Sequence, residues 1–512
     1  RATPVPQCYD IFRKPPGVAE AFGRKGLNIF QRIVAANRAL MRTMRSYEDR
    51  LENDSIVCAR IRPPIQYALS RWLGAGNEKA YCGPHPWLFY RSDIEYLTGP
   101  GFLNPARLAR RARSAAETEA ATLPDPRPAI IDFHRQLATR GIKLIVLPVP
   151  PKPAVHPDKF TGRIGPGRAA LQNESFAGFV SALKKEGVLV ADPAPALASA
   201  GQDSFLATDT HWRPEAMERA ARFLKEFIGS NAPLETRPPA GYRVRADAAT
   251  NRGDIAVMLR LPERATGYPT EKVSLRRIET ARCETWSADE SSDVLMLGDS
   301  FCNIYSLDAM GWGESAGLAE QLSFELQRPL DRLVMNDNGA FATRALLARE
   351  LSRGRDRLAG KRLVIWQFAM RELASGDWKE VKLALGRPTP EIFATPPAGQ
   401  TWTVRGVVRA ASPVPRPGSV PYKDHVAAVH LVDLESDDPG FRGNQALVYM
   451  LGMRDNIRTP ASNLRPGDAV TLRLNPWQDA SGRYERINRT ELPDESLQVA
   501  EPCWGEMIAV AP

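Results

Sequence analysis

Histidine and cysteine are scarce in this chain, with six of each among 512 residues. No Cys-x-x-Cys pair and no mixed cluster of cysteine and histidine occurs, which argues against a structural zinc site. The sequence also lacks internal repeats and any uncharged apolar run of the ~18 residues that cross a bilayer. We therefore expect a soluble protein that holds neither a metal ion nor another cofactor.

The composition is that of a globular protein, with 43% hydrophobic and 25% charged residues. The length corresponds to about two to four domains at ~100–200 residues each. Lysine and arginine number 68 against 59 aspartates and glutamates, and the resulting net charge of +9 is spread along the chain. This excess suits an anionic polymer as a partner, but a basic soluble surface explains it equally well.

The first residue and the cysteines bear on the compartment in which the protein works. Because the first residue is Arg1, we expect that a signal peptide was removed or that the sequence was trimmed. The cysteines could form disulfides in an oxidising compartment or stay reduced in the core, and the sequence does not choose a pairing. They are Cys8, Cys58, Cys82, Cys283, Cys302 and Cys503.

Residues from about 125 to 385 predict a parallel α/β sheet. Short apolar runs of strand length alternate there with amphipathic segments, which is typical of parallel sheets with helices on both faces. Strands are expected at 143–149, 188–191, 293–298, 333–335 and 362–368, and helices at 127–140, 168–186, 214–228 and 340–353. A further helix is predicted over 27–51, whereas 78–104 is irregular or hairpin-like and 230–290 is hard to interpret.

Beyond a proline cluster near residues 384–400 the sequence changes to short alternating strands separated by Gly- and Pro-rich turns. About 110 residues with five or more such strands predict a small all-β domain, either an OB-like barrel or a sandwich. The predicted division is therefore a helical extension over 1–60, an α/β domain over 61–390 and an all-β domain over 398–512.

Ser300 is the candidate nucleophile, because it follows a predicted buried strand through Gly298 and Asp299. In a parallel sheet, sites form at the carboxyl ends of the strands, and N–H groups at a following helix start can stabilise an oxyanion. Gly298 permits the tight turn. An ordinary junction between strand and helix would look the same, since Asp and Ser both cap helices.

His211 is the candidate base, in the polar segment 208–213 directly before a predicted helix. Asp209, two residues upstream, can orient the imidazole and stabilise its charged form. Asp209 or Thr210 could instead merely help to start the helix. Taken with Ser300, however, the segment completes a nucleophile, a base and an orienting carboxylate.

Several segments match those of a known family. Thr-Asp-Thr-His-Trp at 208–212 and Gly-Asp-Ser at 298–300 occur here with the acid and the histidine before the serine, the reverse of ordinary SGNH esterases. Further matching segments are Trp87-Leu88-Phe89-Tyr90, Val149-Pro150-Pro151-Lys152 and Trp366-Gln367-Phe368-Ala369-Met370-Arg371-Glu372-Leu373. On these residues, over about 50–385, the chain resembles the alginate O-acetyltransferases of the AlgJ/AlgX type.

The resemblance implies an SGNH-hydrolase-like parallel sheet flanked by helices and a reaction through an acetyl-serine. Ser300 would attack an acetyl donor while His211, oriented by Asp209, takes the hydroxyl proton, and a sugar hydroxyl would then accept the acetyl group. The Ser300 amide would donate one hydrogen bond to the oxyanion. Candidates for the second donor are Asn303, Asn338 and the Gly339 amide.

The family also implies partners and a compartment. The expected protein is a periplasmic monomer that acetylates an exported anionic polysaccharide, either alginate-like or of another kind. It receives acetyl groups through a membrane-bound O-acyltransferase and has no nucleic-acid partner. The all-β domain could bind glycan through aromatic and basic side chains, although core packing or a solvated charged face would use them equally well. These side chains are Trp402, Tyr422, Tyr449, Trp477, Tyr484, Arg405, Arg409, Arg416 and Lys423.

The sequence departs from the family pattern at three places. Gln367 stands where the family usually has glutamate, residues 83–86 differ from its usual glycine spacing, and Cys302 lies two residues after Ser300. No histidine is placed beside Cys302 in sequence, and a free cysteine usually packs as a small apolar side chain. Two other functions stay open: an acetylesterase that uses water as acceptor, and a catalytically silent glycan-binding scaffold.

Overall fold

The computed structural model describes residues 28–54, 56–118, 122–165, 169–198, 203–262, 267–336, 339–386, 392–415, 422–492 and 500–510, and the single positions 18, 22, 420 and 497. These residues form two compact units. One unit comprises the described residues up to 349 and 357–383, and the other comprises 350–356 and those from 384 onward. The three-domain division of the sequence stays a prediction.

The first unit contains nine strands and most of the helices among the described residues. The strands are β1 (Ala80–Cys82), β2 (Leu88–Tyr90), β3 (Lys143–Val149), β4 (Leu189–Val190), β5 (Arg243–Asn251), β6 (Glu271–Glu279), β7 (Val294–Gly298), β8 (Asp331–Val334) and β9 (Leu363–Ala369). The helices that accompany them are α1 (Ile29–Asp54), α2 (Ile56–Leu73), α3 (Arg91–Thr98), α4 (Pro105–Thr118), α5 (Pro126–Ala138), α6 (Lys152–Val155), α7 (Pro157–Phe160), α8 (Phe176–Lys185), α9 (Ala194–Ala198), α10 (Pro214–Asn231), α11 (Asp254–Met258), α12 (Ser300–Asn303), α13 (Leu318–Leu326), α14 (Ala342–Ser352) and α15 (Glu372–Ser375), with a 3-10 turn at Asp308–Met310. No helix among the described residues combines the length and the apolar character that crossing a membrane requires.

Five strands form one sheet in the order β4-β3-β9-β7-β8, and every neighbouring pair is parallel. The strands β3, β7 and β9 are buried at nearly every position, as unbroken apolar sequences predict for strands covered on both faces. The predicted parallel sheet flanked by helices is confirmed. Its carboxyl edge is where the site lies, because β3 leads to Lys152, β7 to Ser300 and β9 to Arg371.

Two antiparallel hairpins, β1–β2 and β5–β6, lie outside this sheet. The amide of Leu88 in β2 donates to the carbonyl of Ala207 at 2.8 Å, so the first hairpin contacts the segment that precedes His211. The second hairpin occupies much of the stretch 230–290 that the sequence pattern did not resolve.

The helix predicted over 168–186 begins later than expected, at Phe176. The side-chain oxygen of buried Asn173 accepts from the Ser175 amide at 3.0 Å, and its amide group donates to the Tyr96 carbonyl at 2.6 Å. These bonds offer the backbone an alternative to the helix. The predicted start is wrong because a contact with a segment distant in sequence holds residues 173–175 out of the helix.

The second unit is a barrel. Its strands are β10 (Trp402–Ala411), β11 (His425–Glu435), β12 (Gln445–Arg454), β13 (Ile457–Arg458), β14 (Ala469–Pro476), β15 (Arg489–Thr490) and β16 (Cys503–Val510), with α16 (Trp477–Tyr484) and a 3-10 turn at Pro460–Asn463. The hydrogen-bonded order β10-β11-β12-β16-β14 returns to β10 and closes five strands around an apolar core. Of the two predicted alternatives, the barrel is therefore confirmed and the sandwich is wrong.

Candidate active site

Ser300 lies at the carboxyl end of β7, as the first residue of the short helix α12. Asp299 holds this turn, because its carboxylate accepts hydrogen bonds from the amides of Phe301 and Ala369, each at 2.8 Å. Gly298 has no room for a side chain, since a Cβ there would lie 2.5 Å from the Cβ of Cys302. Glycine is required at this position by the close approach of the chain.

The segment before α10 folds back so that Asp209 and His211 face each other. The Leu206 amide donates to the His211 carbonyl at 3.1 Å and closes the loop. Asp209 Oδ1 accepts from the His211 amide at 3.0 Å, and Oδ2 accepts from the Trp312 indole at 3.0 Å. Hydrogen bonds to both of its oxygens thus fix the Asp209 carboxylate in its position beside the imidazole.

The three predicted residues are brought together in one row of hydrogen bonds. His211 Nε2 lies 2.8 Å from Ser300 Oγ, and His211 Nδ1 lies 2.6 Å from Asp209 Oδ1. Burial opposes charge on both partners, yet the opposite charge and the hydrogen bonds raise the pKa of His211 and hold the pKa of Asp209 well below its usual range. Asp209 and His211 are buried, whereas Ser300 is half-buried and accessible to a ligand.

Asp254 at the start of α11 is a further carboxylate beside this row, and sequence reasoning missed it. Its amide donates to Asp209 Oδ2 at 3.0 Å, and its carboxylate accepts from the amide and the hydroxyl of Thr210 at 2.7 and 2.8 Å. Burial and the nearby charge of Asp209 raise the pKa of Asp254 to about 6. The reciprocal bonds fix the loop that carries His211.

Ligand atoms of Asp209, His211 and Asp254 lie within 4.8 Å of one another, a spacing that could hold a metal ion. Their lone pairs are already engaged, because Asp209 binds His211, Trp312 and the Asp254 amide, and Asp254 binds Thr210. A metal ion would have to displace these bonds, so the group fits the orientation of an imidazole better than metal binding.

Lys152, which the sequence marked only by its matching segment, is fully buried behind the loop. Its ammonium donates to the carbonyls of Leu88 at 2.7 Å and Ala207 at 3.2 Å. Burial lowers the pKa of Lys152 to about 8, although surrounding carboxylates, Asp209 first among them, favour the charged form. One cation therefore ties the first hairpin to the segment that leads into Asp209.

Arg371 follows β9 and places a positive charge beside the nucleophile. Its guanidinium donates to Asp93 at 3.1 Å and lies over the rings of Tyr90 and Phe301, with centroid distances of 5.2 and 5.8 Å. The Asp93 side chain is 1% exposed and that of Arg371 16%, so the carboxylate is covered and most of the arginine side chain is buried with it. In the sequence, Arg371 stood within the matching segment 366–373, directly after a predicted buried strand, but no role was predicted for it.

Gln367, the departure from the family pattern, contacts the turn that carries Ser300. Its side-chain nitrogen donates to Asp299 Oδ1 at 2.8 Å, and its oxygen accepts from the Asp299 amide at 3.0 Å. An amide can donate and accept at once, whereas a glutamate carboxylate could only accept. Glutamine therefore satisfies both groups of Asp299.

The predicted oxyanion donors differ in what the structure places around them. The Ser300 amide donates to no residue in the described ranges, which leaves it available to a ligand. Asn303 donates to Asn336 at 3.0 Å, and Asn338 lies outside the described residues. Gly339 has a φ of +72°, which favours glycine, and a Cβ there would lie 2.9 Å from Glu372 Oε2. The second donor stays a prediction.

Cys302 is not a nucleophile in this fold. The thiol is buried and lies 3.4 Å from the sulfur of Met296, and burial raises its pKa to about 12. A thiol with so high a pKa carries almost no thiolate at neutral pH. The described cysteines whose side chains are placed are all free: Cys82, Cys283, Cys302 and Cys503.

The aromatic residues suggested for glycan stacking are mostly engaged in the barrel unit itself. Trp402 is buried in the barrel core, and Tyr449 is buried in a cluster with Trp477. Tyr484 stacks on Trp504 with ring centroids 3.8 Å apart. Trp402 and Tyr449 are thus used in packing, whereas Trp477 and Tyr484 are half-buried and their proposed role in glycan stacking stays a prediction. Tyr422 is half-buried and stacks on His425.

The basic residues suggested for the same role are divided in their contacts. Arg405 pairs with Asp437 at 3.1 Å on an exposed face, and Arg409 lies 3.8 Å from Glu350. Lys423 is exposed, and Arg416 lies outside the described residues. Glycan binding by the barrel stays a prediction.

A cavity of about 560 Å³ lies between α2 and residues that include Cys82, His85, Leu261 and Tyr268. Its lining, as far as the described ranges go, does not include Asp209, His211 or Ser300. The cavity is therefore not the space into which the Ser300 hydroxyl opens.

Comparison with known families gives a match over the part of the chain that carries this site. The sequence model of the AlgX acetyltransferase family, described as an SGNH hydrolase-like domain, matches residues 81–370, more than half of the chain. The matched range includes Asp209, His211 and Ser300.

Curated relatives are similar over shorter stretches. A probable alginate O-acetylase AlgJ of Pseudomonas fluorescens is 26% identical over 182 residues, 34% of this chain and 45% of that protein. A probable alginate O-acetylase AlgJ of Pseudomonas syringae pv. tomato is 33% identical over 128 residues, 24% of this chain and 32% of that protein. The chain thus spans less than half the length of these relatives.

Solved structures give weaker likenesses. The O-acetyltransferase domain of Pseudomonas putida AlgJ has a TM-score of 0.43 and 18% identity, covering 58% of this chain and 92% of that chain. Pseudomonas aeruginosa AlgX has a TM-score of 0.41 and 14% identity, covering 78% of this chain and 90% of that chain. At these scores neither likeness supports a conclusion about this chain.

Proposed function

This chain belongs to the AlgX family of acetyltransferases with an SGNH hydrolase-like domain, and from that membership we propose that it transfers acetyl groups to hydroxyls of a polysaccharide through an acyl-serine. The observation that carries the proposal is the row of hydrogen bonds from Asp209 through His211 to Ser300, at 2.6 and 2.8 Å. A half-buried hydroxyl in contact with a buried, oriented imidazole is the arrangement that nucleophilic acyl transfer needs.

In the first half of the reaction, Ser300 Oγ attacks the carbonyl carbon of the acetyl donor while His211 Nε2 takes the hydroxyl proton. The buried carboxylate of Asp209 stabilises the imidazolium that forms. Collapse of the tetrahedral intermediate expels the donor's leaving group, which takes the proton from His211. The acetyl group is then held as an ester on Ser300.

In the second half, a sugar hydroxyl attacks the ester carbonyl and gives its proton to His211. Ser300 leaves, recovers that proton, and the acetylated sugar departs. The Ser300 amide donates to the oxyanion in both halves, and its lack of a partner among the described residues supports this role. Water in place of the sugar would make the same site an esterase.

Arg371 supports an anionic acceptor. Its guanidinium donates to Asp93 and lies over the ring of Phe301, the residue next to Ser300, and the side chain keeps an exposed fraction of 16%. Guanidinium groups bind carboxylates in a planar, bidentate manner. We therefore propose that Arg371 binds a uronate carboxylate of the acceptor, which fits an alginate-like polymer.

The wider setting of the proposal rests on the family alone. It has the protein exported to the periplasm, acting as a monomer and supplied with acetyl groups through a membrane-bound O-acyltransferase. Cell fractionation of the producing organism tests the compartment, since a cytoplasmic location would contradict this part of the proposal.

The first experiment is to incubate the purified protein with an activated acetyl ester and to measure its intact mass, with Ser300→Ala in parallel. We expect the wild type to gain the mass of one acetyl group and the variant to gain none. A folded wild type that never gains the group and never turns over the ester would contradict the acyl-serine and favour the glycan-binding scaffold.

A second step separates transfer from hydrolysis and tests the acceptor. Polysaccharides with free or methyl-esterified carboxylates are added to the acetylated enzyme, and acetyl groups are followed onto sugar or into water. We expect transfer to the free-carboxylate polymer, and we expect Arg371→Gln to weaken it while the neutral ester still acetylates Ser300. Release into water with every acceptor would favour the esterase.

A further inference from the structure

Helix α2 departs from the usual pattern of a surface helix, because among its described side chains it buries polar ones and exposes apolar ones. Gln66 and Ser70 on the inner face are 8% and 9% exposed. Gln66 donates to the Ser70 hydroxyl at 3.0 Å and to the carbonyls of Ala75 and Gly76 at 3.2 and 3.3 Å. These bonds join the buried polar side chains to one another and to the segment that directly follows the helix.

The outer face carries a row of apolar side chains at helical spacing. Ile65 is 52% exposed and Trp72 77%, in a row that consists of Ile61, Ile65, Leu69, Trp72 and Leu73. A surface helix of a globular domain normally turns its apolar stripe to the core. A contiguous exposed row of this kind marks an interaction surface, because leaving it in water is unfavourable.

Charge on the same helix indicates what covers the row. Residues 56–73 include Arg60, Arg62 and Arg71 and contain no aspartate or glutamate. Arginines beside an apolar face, with a tryptophan near the helix end, are typical of helices that lie in the interface of an anionic membrane. A second copy of the chain fits less well, since two such faces would bring like charges together.

We propose that α2 docks on an anionic lipid surface, lying flat with Ile65, Leu69 and Trp72 inserted at the boundary between headgroups and acyl chains. The arginines at either end of the row would meet lipid phosphates. The inference goes beyond the proposed acetyl transfer and does not depend on it, because it uses no residue of the site.

Co-sedimentation of the full chain with vesicles tests the proposal. We expect the protein to pellet with vesicles that contain phosphatidylglycerol, to pellet less at high salt, and to stay in the supernatant with pure phosphatidylcholine. The combined variant Ile65→Ser, Leu69→Ser and Trp72→Ser should lower the partition coefficient by about tenfold or more. Arg60→Gln with Arg71→Gln should reduce the preference for the anionic vesicles.

The matched control is Ile457→Ser with Ile508→Ser, which removes exposed apolar side chains from the barrel and should leave binding unchanged. Circular dichroism and ester turnover verify that each variant is folded. A wild type that does not bind anionic vesicles, or a row variant that binds equally well, would overturn the proposal. Self-association without lipid that the row variant abolishes would assign the row to a second copy instead.

Discussion

Both ends of the parallel sheet contain buried charged side chains, but the partners of these side chains differ between the two ends. At the amino ends of β7 and β8, the carboxylates of Asp293 and Asp331 pair with the guanidinium groups of Arg328 and Arg357. Lys361, just before β9, adds a second cation 3.4 Å from Asp331. Each of these carboxylates is paired with a neighbouring cation, so the buried charges at this end of the sheet compensate one another.

At the carboxyl end, the carboxylate of Asp209 is instead hydrogen-bonded to the imidazole of His211, which is in turn hydrogen-bonded to the hydroxyl of Ser300. Ser300 is neutral, half-buried and open to a ligand, so the row ends on a group that can react. Buried ion pairs and perturbed pKa values occur at both structural and functional sites. What separates the two ends is therefore the accessible nucleophile and not the amount of buried charge.

The largest expected effect is at the carboxyl end, from Asp209→Asn. The amide keeps the shape but cannot stabilise the imidazolium and favours the wrong tautomer, so acylation should slow by about 10⁴-fold. In the wild type the rate should rise with pH through the raised pKa of His211, because only the neutral imidazole accepts a proton. Ester turnover from about pH 5 to about pH 9 measures both, and a variant with the wild-type rate would contradict the role of Asp209.

At the amino end, Asp331→Asn should affect stability and not chemistry. Removing Asp331 leaves buried Lys361 without its counter-charge and leaves Arg357 with only the exposed Glu290, 2.9 Å away, and breaking such a buried group costs about 3–5 kcal/mol of unfolding free energy. Urea denaturation measures the loss, and the acylation rate per folded molecule should stay at the wild-type value. A variant that is stable but slow would mean that the two ends are coupled, and the contrast between them would fail.

Lys152→Met should produce an intermediate effect, since Lys152 holds the hairpin against the catalytic segment. The Leu88 carbonyl loses its ammonium donor and the Ala207 carbonyl keeps only the Leu88 amide, so we expect a loss of about 1–2 kcal/mol in unfolding free energy and slower acylation. Lys143→Met, at an exposed lysine of β3, is the matched control and should change neither quantity. If the two variants behaved alike, the buried ammonium would have no positioning role.

The difference in unfolding free energy between the wild type and Lys152→Met should also depend on pH. Burial lowers the pKa of Lys152 from 10.5 to about 8, so between these values the unfolded chain binds the proton more tightly than the folded one. The unfolding free energy of the wild type should therefore rise with pH across this window relative to Lys152→Met. Urea midpoints at several pH values measure the slope, and a flat difference would contradict the lowered pKa.

The smallest expected effect is from Gln367→Glu, which restores the residue usual in the family. A carboxylate cannot donate to Asp299 and brings a like charge to it, so we expect a loss of about 1–2 kcal/mol and a modest loss of rate at neutral pH. Thermal unfolding and ester turnover measure the two. An unchanged or more stable variant would show that the turn beneath Ser300 tolerates the second carboxylate.

Local patterns predicted the elements that carry the site. The unbroken apolar run at 143–149 and the proline that starts α10 correspond to the observed strand and helix. The triad residues stood in two short segments, each with its own turn and polar signature, so their pairing could be inferred although Ser300 and His211 lie 89 positions apart. Residues that contact the site from distant segments, and that have no such local signature, were not predicted.

Arg371 and Asp93 illustrate this limit of prediction from local sequence, because 278 positions separate them and nothing in either segment indicates that the two side chains pair. Trp312 reaches Asp209 across 103 positions in the same way. The start of α8 was misplaced because Asn173 bonds to Tyr96, a contact that no local propensity contains. In each case the decisive contact is a hydrogen bond between distant segments, which the local sequence does not indicate.

By itself, the sequence determined the parallel sheet and the change to an all-β part near residue 400, and it indicated Ser300, His211 and Asp209 as candidate catalytic residues, because these depend on periodicity and on short motifs. Only the tertiary structure decided that the all-β part closes as a barrel, that Cys302 is buried, that Lys152 and Arg371 stand behind and beside the nucleophile, and that α2 turns its apolar face outward. The physical reason is that burial and charge pairing are properties of contacts between segments, and those contacts exist only once the chain has folded.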